Sequence, residues 1–299
     1  MNGKKTEALR RFIRGNKLAY AILSPLVWLR RLRKRRQQAA FDRFLDALFT
    51  QIEGGSVVVG MPQFRGSFEV DVRSHTLKRA VTARIDSAER VARVTRHIAP
   101  HKDVLDIGAN IGLYTVLFAK TVSEGNRVLA VEPTPGGAGY LRRNVERNGC
   151  AQSVVVFEGV ATEAEGRYPL NVIPGMEQYS SLGDLVHPTI RGTASQTIEV
   201  AGETIDSLVD LFGLVPGFMK VDTEGAEYLV FRGAAGTLSR HNPVIHSELS
   251  DTMLAAFGHT SRMVIDLLES LGYEVADANA PAAPITDPFD GDIVAVPKG

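Results

Sequence analysis

The chain has 299 residues, 44% of them hydrophobic, and its formal net charge at pH 7 is zero. This length allows one large domain or two small ones with a buried core, and we expect one large domain with an N-terminal extension. The single cysteine, Cys150, excludes an internal disulfide framework and is typical of a reducing cytoplasm. These features favour a cytoplasmic location.

The first 50 residues are basic, with 13 Lys and Arg against 3 Asp and Glu. The apolar run at 18–29 is shorter than the ~20 residues that span a bilayer, and no cleavage pattern of a signal peptide follows it. Two interpretations stay open. Residues 1–36 form an interfacial helix that places Trp28 in the headgroups and arginines on anionic lipid, or they form a solvated extension. Interleaved aromatic residues that would favour nucleic-acid binding are missing.

The pattern divides the chain into three predicted segments. Residues 1–52 are a basic helical extension, and residues 53–100 are a small antiparallel β unit with a lead-in helix. Residues 101–299 are the main domain, which includes a hairpin inserted at 166–202. A polar loop in that hairpin contains Tyr179, Ser180 and Ser181, and we interpret it as a lid over the substrate.

Residues 53–100 contain β-rich stretches punctuated by Gly and Pro. They predict strands at 57–59, 67–72 and 80–85. Helical spacing follows over 86–98, with Asp86 as the N-terminal cap.

The main domain alternates strand and helix, which is typical of an α/β fold with a mostly parallel sheet and helices on both faces. An antiparallel pair at 273–276 and 293–296 closes the pattern. The inserted hairpin pairs 168–173 with 196–200. The remaining predicted strands are 103–107, 127–131, 153–157, 218–221 and 244–248, and the predicted helices are 112–121, 138–148, 226–238 and 262–271.

The first core strand ends in a glycine turn, V-L-D-I-G-A-N-I-G at 104–112. Gly108 and Gly112 let the backbone turn sharply beside a ligand. No third glycine completes the G-x-G-x-x-G of a dinucleotide site. Asp106 would repel a phosphate but can accept a hydrogen bond from an ammonium group. The turn, which also contains Ala109 and Asn110, therefore favours S-adenosylmethionine over NAD.

The second core strand ends at Glu132, 20 residues after Gly112. Sheets of this kind place there an acidic residue that accepts hydrogen bonds from both ribose hydroxyls. The third strand ends at Glu158 and Gly159, which we assign to the adenine side of the same site. A helix cap for Asp106 and a solvent-facing position for Glu132 are the structural alternatives.

Several segments of this chain resemble the FkbM family of S-adenosylmethionine-dependent methyltransferases. The resemblance runs from about residue 67 to residue 248 and departs from the family at Thr223, where valine or isoleucine is common. It implies a seven-stranded Rossmann-like methyltransferase fold and O-methylation of a hydroxyl on a sugar, glycan, lipid or polyketide-like acceptor. The segments are D-I-G-A-N-I-G at 106–112, V-E-P at 131–133, R-N-V-E-R-N-G at 143–149, T-I-D-S-L at 204–208 and K-V-D-T-E-G-A-E at 220–227.

The acceptor side of the predicted site is rich in carboxylates. Asp222 and Glu224 follow a core strand beside the first one, so they are candidates for general base or acceptor positioning. His246 is a third candidate because imidazole accepts protons near neutrality. Glu227 lies one helical turn from Glu224 and also suits a capped helix start. These acids suggest a divalent cation, but no nearby histidine completes a site, and we expect no metal.

Two other functions compete with methyl transfer. An NAD-dependent oxidoreductase or epimerase uses a similar sheet, although the missing third glycine and Asp106 disfavour it. A non-catalytic nucleotide-binding module, or one docked on a membrane to bind a partner, is the alternative outside enzymes. The expected partner is a small-molecule, glycan or lipid acceptor.

Overall fold

A computed structural model describes residues 54–82, 85–173, 182 and 195–299. The predictions for the basic extension, including its helix and its membrane contact, lie outside these residues. So does the lid assigned to Tyr179, Ser180 and Ser181. Within the described ranges, no helix has the length and apolar character needed to cross a membrane.

The fold begins with an antiparallel hairpin of β1 (Ser56–Met61) and β2 (Gly66–Asp71). The strand predicted at 80–85 is wrong, because helix α1 (His75–Val81) occupies the start of that stretch. Its signal is Ser74, whose hydroxyl accepts a hydrogen bond from the backbone N–H of Leu77 and caps the helix. A short β-branched stretch such as Val81–Thr82 does not override such a cap.

The next helix, α2 (Ala88–Thr95), starts two residues later than predicted, and its cap is Ser87 instead of Asp86. The Ser87 hydroxyl accepts from the backbone N–H of Arg90 at 3.2 Å. Asp86 instead accepts from the hydroxyl of Tyr114 at 2.7 Å. It therefore joins α2 to the main domain.

A seven-stranded sheet forms the centre of the main domain, in the order β11-β12-β10-β9-β3-β4-β5. Only β12 runs antiparallel to its neighbours, which confirms the predicted mostly parallel α/β sheet. The strand order reverses at β3, with β4 on one side and β9 on the other, and ligands bind at the carboxyl edge of such a reversal. The strands are β3 (Asp103–Ile107), β4 (Val128–Glu132), β5 (Val154–Glu158), β9 (Pro216–Val221), β10 (Val244–Ser250), β11 (Tyr273–Asp277) and β12 (Asp290–Pro297).

Helices pack on both faces of this sheet because the inner strands are apolar on both sides. All five residues of β3 and of β4 are buried. The longest helix, α4, starts at Pro135 behind the Thr134 cap and ends at Arg147. The other helices are α3 (Leu113–Ala119), α5 (Ile205–Phe212), α6 (Glu227–Arg232), α7 (Ala235–His241), α8 (Asp251–Leu254) and α9 (Ser261–Ser270).

Two helical predictions change. The single helix predicted at 226–238 is two helices, α6 and α7, separated at Gly233, where an added Cβ would lie 2.0 Å from the carbonyl oxygen of Thr162. Helix α5 was missed at the sequence level, although the Thr204 hydroxyl caps it. Its buried residues, including Leu208, belong to the main core.

A second, three-stranded sheet contains the inserted hairpin. Strand β7 (Gly166–Val172) pairs antiparallel with β8 (Gln196–Glu203), and β6 (Val160–Ala161) runs parallel to β8. A separate apolar cluster that includes Leu170 and Val200 stabilises this sheet. Because β6 directly follows β5, the small sheet begins beside the carboxyl edge of the large one.

Candidate active site

A cavity of about 470 Å³ opens at the carboxyl edge of the large sheet, where the strand order reverses. The turn after β3, the end of β4 and the loop after β9 line it, as do residues 159–161. The hairpin-to-helix segment adds His75, Thr76, Arg79, Ile85 and Asp86. The cavity is thus the place where the sequence-predicted turn and the acidic loop meet.

The turn after β3 has a left-handed backbone at three of its five residues. Gly108 has φ +80°, Asn110 has φ +51° and Gly112 has φ +87°. A Cβ on Gly112 would lie 2.6 Å from Leu141 of α4, so this glycine is needed for close packing of two helices. Ala109 also lines the cavity. The turn therefore presents backbone to the cavity with little side-chain obstruction.

Glu132 at the end of β4 holds this turn in place. Its Oε2 accepts from the backbone N–H of Asn110 at 2.8 Å, and its Oε1 accepts from the N–H and the hydroxyl of Thr134 at 3.0 and 2.5 Å. The residue is 5% exposed and lines the cavity.

Two buried residues, Asp106 and Lys220, form a charge cluster below the turn with the partly exposed Asp222. Lys220 lies in register with Asp106 on the adjacent strand, and its Nζ donates to Asp222 Oδ2 at 3.0 Å. Asp106 Oδ2 accepts from the hydroxyl of Thr115 at 2.6 Å. Asp106 Oδ1 is buried and has no hydrogen-bond partner within the described residues. The ammonium of Lys220 therefore offsets the negative charge of both Asp106 and Asp222.

Burial and mutual charge determine the ionisation of this cluster. Burial raises the pKa of Asp106, and Lys220 and Thr115 only partly offset it. Burial also opposes ionisation of Asp222, but the ammonium of Lys220 outweighs it and holds the pKa of Asp222 below its usual value. Burial alone would lower the pKa of Lys220, but the charges of Asp222 and Asp106 outweigh this effect and raise it. Lys220 and Asp222 are thus a stable ion pair, and Asp222 is a poor proton acceptor.

Glu224 has the opposite electrostatic character. Burial, followed by the charges of Asp222, Glu227 and Glu248, raises its pKa to about 8. Its backbone is left-handed, with φ +54°, a conformation that costs a non-glycine residue about 1–2 kcal/mol. Glu224 lines the cavity. A carboxyl group with a pKa near neutrality and access to a cavity suits proton transfer.

His246 and Glu158 lie apart from the residues that line the cavity. His246 is 5% exposed, in register with Lys220, and burial together with the charges of Lys220 and Arg90 lowers its pKa to about 3. His246 is thus a neutral, buried imidazole that does not itself line the cavity. Glu158 forms an exposed ion pair with Arg142 at 2.7 Å, whereas Gly159 lines the cavity.

Sequence reasoning missed a second polar network at the cavity. Arg90 donates to Glu248 and to Asp292, each at 2.8 Å, and it also forms an ion pair with Asp86. Asp86 and Glu248 both line the cavity. Lys220 was missed as well, although a lysine inside the apolar strand Pro216–Val221 is itself a signal. Within the described ranges, no cluster of three His, Cys, Asp or Glu side chains is arranged to hold a metal ion.

Gly108 joins the two halves of the site. A Cβ at this position would lie 1.9 Å from the carbonyl oxygen of Asp222, and φ is +80°. We expect Gly108→Ala to lower the free energy of unfolding by at least ~3 kcal/mol, because a backbone atom cannot move aside cheaply. Gly213→Ala is the matched control, since Gly213 has φ +59° but no atom within 4 Å of the added Cβ. It should cost only about 1–2 kcal/mol.

Denaturant unfolding of both glycine variants measures the difference. Equal losses in the two would mean that the backbone angle alone matters and that the contact with Asp222 does not.

Comparisons with known proteins identify the family of this chain. The model of the methyltransferase FkbM domain matches residues 106–275, more than half of the chain. The protein-L-isoaspartate O-methyltransferase of Aeropyrum pernix is 43% identical over 60 residues, which are 20% of this chain and 23% of that protein. The release factor glutamine methyltransferase of Geobacter sulfurreducens is 35% identical over 96 residues, 31% of this chain and 33% of that protein. The chain thus spans a third or less of these curated relatives.

Two solved structures illustrate the structural neighbours. The methyltransferase FkbM from Methylobacillus flagellatus is 19% identical, with a TM-score of 0.42, over 66% of this chain and 44% of that one. The O-methyltransferase from Bacillus cereus, solved with SAH, is 17% identical, with a TM-score of 0.46, over 87% of this chain and 97% of that one. The family match confirms the resemblance found in the motifs. The chain belongs to the FkbM family of methyltransferases, and its cofactor is S-adenosylmethionine.

Proposed function

We propose that this chain is an O-methyltransferase that methylates a hydroxyl of an uncharged small-molecule acceptor, such as a sugar, glycan, lipid or polyketide-like product. The observation that carries the proposal is Glu224, whose carboxyl group has a pKa of about 8 and lines the same cavity as the glycine turn. An alcohol must lose its proton as the new bond to carbon forms. A carboxyl group with this pKa accepts that proton in its ionised form, which predominates above about pH 8.

The residues around the turn fit S-adenosylmethionine. Asp106 Oδ1 is a buried acceptor with no partner in the described chain, and it suits the ammonium of the methionine part. Glu132 lines the same cavity at the end of β4, where a carboxylate suits the ribose hydroxyls. Gly159 leaves the adenine side open. When bound, the cofactor supplies a methyl group on a sulfonium, from which it can be displaced.

Three carboxyl groups near the reacting atoms have different roles in this proposal. Glu224 takes the proton of the acceptor hydroxyl as the oxygen bonds to the methyl carbon and the carbon–sulfur bond breaks. Asp222 stays ionised beside Lys220 and orients the acceptor as a hydrogen-bond acceptor. Its side chain is 41% exposed, so an acceptor can reach it. Among the described residues, the Glu227 side chain accepts hydrogen bonds from Thr223 and Gly225 of the adjoining loop.

The charge of the cavity supports an uncharged acceptor. Seven carboxyl side chains line it, against the cationic side chains of Arg79 and Lys220 and the imidazole of His75. Excess negative charge repels phosphorylated or carboxylated acceptors. The carboxylates of Asp86 and Glu248 suit vicinal hydroxyl donors. The segment with His75 and Asp86 precedes the family-matched residues 106–275 and forms the acceptor wall in this proposal.

Methyl-labelled S-adenosylmethionine and a panel of acceptors test the proposal. The panel pairs neutral monosaccharides, glycolipids and hydroxylated macrolides with their phosphorylated or carboxylated counterparts, and adds amines. We expect a product heavier by one methyl group, joined through oxygen, from a neutral hydroxyl acceptor. Methylation on nitrogen or of the anionic counterparts would refute the proposed acceptor class. Calorimetric binding of NAD, without binding of S-adenosylhomocysteine, would refute methyl transfer itself.

Asp106→Asn should weaken binding of S-adenosylmethionine by ~10- to 100-fold, because the ammonium loses a charged acceptor. Asp103→Asn is the matched control at the other end of β3. Asp103 accepts from the backbone of Arg127 and Val215, far from the turn. Calorimetry of both folded variants should find the loss only in Asp106→Asn. An unchanged affinity would make Asp106 a purely structural residue.

A further inference from the structure

The loop between β9 and α6 holds Glu224 in an unusual backbone conformation. Glu224 has φ +54° and Gly225 has φ +107°, so two consecutive residues lie in the left-handed region. Glycine adopts this conformation freely, but glutamate does not. Something in the structure therefore has to keep Glu224 there.

Glu227 supplies three hydrogen bonds to this loop through a single oxygen. Its Oε1 accepts from the backbone N–H of Thr223 at 2.9 Å, from the Thr223 hydroxyl at 3.0 Å and from the backbone N–H of Gly225 at 3.3 Å. The residues immediately before and after Glu224 are thus tied to the same atom. This arrangement clamps the backbone on both sides of the proposed base.

The clamp is buried and closely packed. Glu227 is 2% exposed, and its Oε2 has no hydrogen-bond partner in the described residues. A Cβ on Gly225 would lie 2.5 Å from the carbonyl oxygen of Met253, so the loop is pressed against α8. A buried carboxyl with one unused oxygen is costly, and a helix cap alone does not need it.

We propose that Glu227 is a positioning residue: it holds Thr223 and Gly225 so that the Glu224 carboxyl points into the cavity beside the methyl group. This inference rests on the proposed role of Glu224 as the base. The inference predicts that kcat depends on the length and the acceptor oxygen of the Glu227 side chain more than on its charge. Displacement of a reacting group by about 1 Å can cost ~100-fold in rate.

Two substitutions separate geometry from charge. Glu227→Gln keeps an oxygen that can accept all three bonds, and its kcat should stay within about threefold of the parent. Glu227→Met keeps the length but has no acceptor, and its kcat should fall ~100-fold, while the Kd for S-adenosylhomocysteine and the acceptor KM change less than about threefold. Glu269→Met, at an exposed glutamate of α9, is the control for the substitution and should change nothing.

The pH profile gives a second readout that a merely structural role would not move. The charge of Glu227 helps to raise the pKa of Glu224. Glu227→Gln should therefore shift the rise of kcat/KM to lower pH while activity is retained. An unshifted profile together with lost activity in Glu227→Gln would overturn the proposal.

The assay uses methyl-labelled S-adenosylmethionine and the hydroxyl acceptor of the panel that is turned over. If Glu227→Met keeps the parent kcat, or loses affinity for S-adenosylhomocysteine in proportion, the positioning role is wrong. If Glu227→Met does not fold, Thr223→Val takes its place in the assay. Thr223→Val removes one of the three hydrogen bonds to Glu227, so kcat should fall about threefold to tenfold. An unchanged kcat in Thr223→Val overturns the proposal. Glu224→Gln, assayed in parallel, separates the base role of Glu224 from the positioning role of Glu227. If Glu224→Gln stays active, the proposed base is wrong. If Glu224→Gln is inactive and Glu227→Met is fully active, only the positioning role is refuted.

Discussion

Glu224→Gln is expected to lower kcat by about 10²- to 10⁴-fold, the usual contribution of a general base. The amide has the shape of the carboxyl group but cannot take a proton from the acceptor. For the parent, kcat/KM should rise tenfold per pH unit up to about pH 8 and level off above it, because only ionised Glu224 acts as a base. Glu274→Gln, at an exposed position of β11, should retain the parent profile.

The same variant should be more stable than the parent at alkaline pH. The pKa of Glu224 is raised from its usual 4.5 to about 8 in the folded chain, so the stability of the parent falls as the pH rises from about 4.5 to 8. Glutamine does not ionise. The melting temperature of Glu224→Gln should therefore exceed that of the parent at pH 8 to 9 and match it near pH 4. Full activity, or a stability difference independent of pH, would contradict the assignment.

Lys220→Met is expected to lower the free energy of unfolding by about 3–5 kcal/mol, because Asp106 and Asp222 then lack their shared cation. Lys220 is 6% exposed, and its Nζ lies 5.2 Å from the ring centroid of Tyr114, so its ammonium is shielded from solvent. Its raised pKa keeps the ammonium charged throughout the physiological range. The loss is therefore present at every neutral pH.

The pH dependence of this loss identifies its cause. Without Lys220, both carboxyl groups have raised pKa values in the folded chain, so protonation near pH 5 should recover part of the stability, and the loss should be largest near pH 8. Denaturant unfolding at both pH values measures it. Lys298→Met, at an exposed lysine near the C-terminus, should be neutral at both. A loss below about 1 kcal/mol at pH 8 would mean that the two carboxyl groups do not depend on Lys220.

The sheet could be predicted because its strands and connections have strong local signals. The strand at 103–107 was placed without error, since an apolar run ends in a glycine turn. The sequence-based errors arose where contacts of the folded chain decide whether a stretch is helix or strand and where a helix ends. The Gly233 backbone lies against Thr162 and divides one predicted helix into two. The cap at Ser74 outweighs the β-rich residues near Val81.

The carboxylates of the site could be identified from the sequence, but their roles could not. The positions of Asp222 and Glu224 in the loop do not reveal the part played by Lys220. Its ammonium makes Asp222 an ion-pair partner, whereas Glu224 has a raised pKa. His246 suits catalysis by residue type. Its burial within the sheet, beside Lys220, is a property of strand register that a single sequence does not reveal.

The contact between Gly108 and the carbonyl of Asp222 joins the cofactor turn to the acceptor loop through backbone alone. The backbone N–H of Asp222 also donates to the carbonyl of Ile107 at 3.0 Å. Neither loop can shift by an ångström without pushing the other. We therefore expect the two loops to move together, so that side-chain changes on the proposed acceptor wall alter which acceptor is methylated without changing the distance from acceptor to methyl group.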